Sequence, residues 1–177
     1  SPAYPIRKYR SIVWFDVNTK GQKFVLFRGL SDSPTLGMID RNREIKILTE
    51  TGNTNKITAN DEKIAWAMTY ADIRYSEKDY SDIVVFDQKT NTKQRLTQKK
   101  KYFHPEFSHD NRYLAVSEYI PNLANHLLIL DASNGEVIHR HTLGRHEYIG
   151  KPAWDKHDKK LVYTVTSIDS VFVEVYH

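Results

Sequence analysis

The chain has 177 residues, 40% apolar and 12% aromatic, which suits one folded domain with a real core and excludes a disordered chain. Its formal charge of +4 is too small for the dense basic stripe of a nucleic-acid binder. With no Cys, it can form no disulfide, no thiolate metal site and no Cys nucleophile; this fits a reducing compartment and equally an envelope protein held by its core alone.

No apolar run approaches the roughly 18–20 residues that span a bilayer. The first residues, SPAYPIRKYR, have no apolar core behind their charges, so no signal peptide is expected and the chain reads as a mature chain or an excised domain.

In chain order, the apolar runs are short, β-branched or aromatic, and bounded by Asn, Asp, Gly, Ser and Lys, which are strand and hairpin signals. No segment keeps helical periodicity for three turns. IVWFD (12–16), FVLFRG (24–29), LGMID (36–40) and EIKILT (44–49) read as four strands, a to d. KIAWAMTY (63–70), DIVVFD (82–87) and residues 93–97 give strands b to d of a second unit. A third follows at 103–107, 112–119, 126–131 and 136–142, its last hairpin closed by Ala132-Ser133-Asn134-Gly135. The fourth has strand b at 160–166, strand c at 171–176 and no strand d.

HPEFSHDNRYLAVS (104–117) recurs as KPAWDKHDKKLVYT (151–164), at an offset of 47. Such a unit cannot bury its apolar face alone and must stack on copies of itself. Four-stranded antiparallel units of this length predict an all-β fold, a β-propeller segment of about four blades with the last incomplete. The blades are expected near 10–50, 51–97, 98–143 and 144–177, as one segment within a larger propeller. Phe107, Trp154 and Trp66 are expected between blades, and Pro105 and Pro152 on an inner edge strand.

The motif PEFSHDNRYLAVS (105–117), the RLT triplet at 95–97 and the IVVFD-to-RLT hairpin (83–97) resemble the TolB-type propeller repeat. They are also similar to the propellers of prolyl-oligopeptidase-like and tricorn-like proteases. The resemblance covers most of 55–165. It departs at the a–b turns, where the usual Asp-Gly is Asp110-Asn111, His157-Asp158 and Asn60-Asp61. It implies a non-enzymatic protein-interaction scaffold in a bacterial periplasm or envelope. The alternative is the regulatory propeller of a serine peptidase whose catalytic domain lies outside this chain.

Read by themselves, the residues offer no G-x-S-x-G elbow, phosphate loop or dinucleotide fingerprint, so no catalytic residue, no cofactor and no enzyme activity are expected. All eight His lie at or beyond His104. If the 132–135 turn closes its hairpin directly, His126 pairs with His141, with His139 diagonal; three imidazoles on one face could hold a metal, and a solvated outer strand explains them as well. Asp40, Asp87 and Asp131 recur once per blade and read as turn caps, not calcium ligands. The best partner surface is the loop face with Lys99, Lys100 and Lys101, together with Arg74, Tyr75 and Tyr80. A protein partner is expected, not nucleic acid or membrane insertion, with a second copy completing the ring as one possibility.

Overall fold

The computed structural model describes residues 11–29, 33–71, 79–121 and 123–177. It is all-β, with four antiparallel sheets stacked as propeller blades. Blade 1 holds β1 (Ser11–Val17), β2 (Lys23–Arg28), β3 (Thr35–Ile39) and β4 (Ile45–Glu50). Blade 2 holds β5 (Thr58–Ala59), β6 (Lys63–Tyr70), β7 (Tyr80–Asp87) and β8 (Thr92–Arg95). Blade 3 holds β9 (Tyr102–Phe107), β10 (Tyr113–Glu118), β11 (His126–Asp131) and β12 (Val137–Thr142). In blade 4, β13 (Tyr148–Ile149) and β14 (Ala153–Trp154) are two pieces of one inner strand against β15 (Leu161–Thr166), and β16 (Val171–Tyr176) is outermost. No helix among the described residues is long and apolar enough to cross a membrane.

Alternation along each strand sends side chains to two faces, and the facing sides of adjacent blades pack together. Phe24, Leu26 and Leu36 of blade 1 meet Ile64, Trp66, Val84 and Phe86 of blade 2. Ala65, Ile83 and Val85 of blade 2 meet Leu114, Val116 and Phe107 of blade 3. Ala115, Leu127 and Ile129 then meet Leu161, Tyr163 and Val165 of blade 4. Trp66 is fully buried and donates its indole N–H to the Thr51 carbonyl at 2.9 Å. Trp154 donates to the Glu106 carbonyl at 3.1 Å, across the joint between blades 3 and 4, and stacks on Tyr113.

Both inner-strand prolines sit at irregularities. Pro105 lies where the β9–β10 register shifts between Ala115 and Ser117, and Pro152 lies in the gap between β13 and β14. A bulge needs no ladder donor, so the missing N–H costs nothing there.

The turns opposite the inter-blade loops are closed by short polar side chains. Asp40 accepts from the backbone N–H of Asn42 and Glu44, Asp87 from Lys89 and Thr90, and Asp131 from Ser133. These bonds to the charged form hold the Asp87 and Asp131 carboxyls below the usual range, with the bonds from Thr90 and Ser133 as the largest causes. The a–b turns carry a further device. Asp61 accepts from Thr19 Oγ1 and the Lys20 N–H of the preceding blade, and Asp158 from the N–H groups of His109 and Asp110. The Asp of one turn therefore staples the turn before it.

Candidate interaction face

Strand direction puts the d–a connections and the b–c loops on one face. Its best-defined part is built by Asp82, the residue directly before the apolar run 83–86 of β7 and fully buried. Its carboxylate accepts from Thr97 Oγ1 at 3.3 Å and from the backbone N–H groups of Lys99 at 3.1 Å and Lys100 at 2.9 Å. It also pairs with the Arg95 guanidinium, raising the Arg95 pKa, and Arg95 lies over the Tyr70 ring at 4.4 Å. A buried carboxylate with this many donors is satisfied, and it fixes the course of residues 95–100. The Lys100 carbonyl accepts from the Ser81 N–H and the Lys101 carbonyl from the Tyr119 N–H, so the lysine run is bound on both sides.

Lys99 and Lys100 are exposed, Lys101 is half-buried, and Lys100 lies 5.8 Å from the Tyr102 ring. Tyr80 is half-buried and pairs with Tyr70 at the end of the β6–β7 ladder. Arg74 and Tyr75 lie outside the described residues. The face also carries residues that the sequence reading did not single out. Tyr119 and Tyr148 stack with ring centroids 6.0 Å apart although 39% and 49% exposed, and Leu123 in the same b–c loop is 65% exposed. Asn125 ties this part together: its amide donates to the Glu147 carbonyl and its side-chain oxygen accepts from the Ile120 N–H.

The histidines are arranged differently from the direct-hairpin reading. The β11–β12 register shifts between Ile129 and Leu130, so His126 pairs with Thr142, Leu127 with His141, and Ile129 with His139. One inserted residue turns His126 to the face opposite His139 and His141. His126 Nδ1 lies 3.1 Å from Thr142 Oγ1, and its ring is 4.0 Å from Glu118, which binds Arg140 at 3.3 Å. His141 lies 4.0 Å from Glu174 and packs on Tyr176. Among the described residues no three metal-ligating side chains converge.

This geometry defines a β-propeller segment of four antiparallel blades. No known family's sequence profile matches the chain, and no curated protein matches it. Solved structures do. The chain is similar to TolB from Acinetobacter baumannii, with a TM-score of 0.68 and 15% identity over 91% of this chain and 39% of that one. The β-propeller domain of the trilobed protease from Pyrococcus furiosus matches with a TM-score of 0.65 and 18% identity, over 96% of this chain and 54% of that one. The acylaminoacyl peptidase of Pyrococcus horikoshii gives 0.68 and 14%, over 99% of this chain and 32% of that one. The chain thus spans well under two thirds of the length of each.

Proposed function

We propose that this chain is a non-enzymatic protein-binding platform, part of a TolB-like propeller in a bacterial envelope protein. It engages an acidic partner through the d–a and b–c loop face. The observation that carries this reading is the exposed Tyr119–Tyr148 pair beside a lysine run whose backbone is pinned by buried Asp82. Rigid aromatic contact area next to positive charge has the composition of an interface hot spot, and a prebuilt loop loses little entropy on binding.

Capture of envelope proteins by the immobilised chain tests the reading. A salt-sensitive partner should be lost in the Lys99→Glu/Lys100→Glu/Lys101→Glu variant and in Tyr119→Ala/Tyr148→Ala. It should be retained when Lys156, Lys159 and Lys160 on the opposite turns are reversed. Equal capture by loop-face and turn-face variants would refute the assignment.

A second reading, the regulatory propeller of a serine peptidase, is supported by the likeness to the two peptidase structures. The flanking gene sequence distinguishes the two readings: an adjoining α/β-hydrolase region with G-x-S-x-G favours the peptidase. In either setting a second copy of this chain can complete the ring through the apolar end faces.

A further inference from the structure

On the loop face, where blades 1, 2 and 3 converge toward the inner strands, lies a cavity of about 350 Å³. That is the lower end of the volume range of small-molecule sites, about 300–1,000 Å³. Three cationic or protonatable side chains line it: Arg28 at the end of β2, Lys56 on the connection into β5, and His104 in β9. Among the described residues no carboxylate lines it, and neither Arg28 nor Lys56 belongs to an ion pair. Elsewhere in this chain, cations next to buried polar groups are matched, as Arg95 is by Asp82 and Lys151 by Glu106. Asn53, Asn55 and Thr69 add amide and hydroxyl donors, and Phe103 closes one wall with apolar surface.

His104 is held in an unusual backbone state. Its φ is +52°, left-handed, and it precedes Pro105, where extended backbone is the norm. Strain of this kind costs about 1–3 kcal/mol and persists where the surroundings fix it. The β9–β10 bulge imposes it here and lets the ring face the cavity. The Ser117 hydroxyl donates to the Phe103 carbonyl at 3.2 Å, so it accepts from His104 Nδ1–H at 3.1 Å. Neutral His104 then has a lone pair at Nε2, and only the imidazolium can donate to a ligand there.

We infer that this cavity binds a small anion, through a carboxylate or tetrahedral oxyanion group held by Arg28, Lys56 and His104. This goes beyond the protein-partner reading and needs no partner. Arg28 supplies the planar fork that suits such groups and Lys56 a point charge. Binding takes up a proton at His104. Burial first, and then the charges of Lys56 and Lys151, hold its pKa low when the cavity is empty; a bound anion offsets the two lysines. Glu106 close by is engaged by Lys151 and by Thr58.

Calorimetry of the full chain with sulfate and with succinate tests the inference, and the tighter ligand identifies the head group. Saturable binding is expected for at least one anion, weakened about tenfold by Arg28→Gln and by Lys56→Gln. Lys20→Gln, on the opposite turns beside Asp61, should change nothing. Affinity should rise as pH falls from about 8 to about 6, and His104→Gln should flatten that dependence. If Arg28→Gln fails to fold, Lys56→Gln decides. No saturable binding of either anion, or an equal loss in Lys20→Gln, overturns the inference.

Discussion

Asp82 fixes the presentation of the lysine run. In the sequence it is one more acid at a strand end, and nothing marks it as buried, because its partners at Arg95, Thr97, Lys99 and Lys100 are brought to it only by the closing of the hairpin. Asn at this position keeps one acceptor oxygen and turns the other into a donor, so either Arg95 and the Lys99 N–H or Thr97 and the Lys100 N–H lose their acceptor. Asp82→Asn should therefore cost about 2–4 kcal/mol of stability in urea unfolding. It should also speed hydrogen exchange at Lys99 and Lys100; unchanged exchange there would contradict the clamp.

His126 gives a pH signature. Burial first, and then Arg140, disfavour its imidazolium more than Glu118 favours it, so its folded pKa lies below 6.5. Just below that value the unfolded chain binds more protons than the folded one, and stability falls as pH drops through the window. His104 acts in the same direction. Urea unfolding at about pH 7.5 and about pH 5.5 should show this loss, reduced in His126→Gln. The turn carboxylates with lowered pKa, among them Asp87 and Asp131, add their own loss only below about 3.8.

Among elements, the strands were legible because alternation and turn chemistry coincide in nearly every hairpin. Asp40, Asp87 and Asp131 cap their turns as their recurrence indicates. Register was less legible. A bulge needs only one extra residue, and nothing in VIHRHT marks it, yet it moves His126 to the other face from His139 and His141. The aromatic pair was hidden for a different reason: Tyr119 and Tyr148 are 29 residues apart in sequence and meet only when blades 3 and 4 pack.

Gly135 is the element-scale test. Its φ is +78°, and a Cβ there would lie 2.7 Å from the Leu96 carbonyl oxygen of the neighbouring blade. Gly135→Ala should cost about 1–3 kcal/mol, more than strain alone, because turn and joint are disturbed together. Thermal unfolding measures it, and an unchanged midpoint would contradict the contact.

For the whole molecule, the joints have a direction. At two of them β6 and β10 offer a small residue, Ala65 or Ala115, to larger ones of the next blade, such as Leu114 and Tyr163. The two end faces keep that order. Blade 4 ends on Val162, Val173 and Val175, and blade 1 begins on Ile12, Phe15 and Ile47, with Phe15 69% and Val173 64% exposed. Register puts each set on one side of its sheet. The outer face of blade 4 thus carries smaller residues and that of blade 1 larger ones, the order found at the two inner joints. This makes these exposed apolar faces a candidate association surface.

The claim at this scale is that the outer faces of blades 1 and 4 are the two halves of a blade joint, so that this surface too serves association. Light scattering of the purified chain over a concentration series tests it most directly. The account predicts association that Val173→Lys on blade 4, or Phe15→Lys on blade 1, reverts to monomer with the fold intact. A clean monomer at high concentration, or association indifferent to both substitutions, would contradict it.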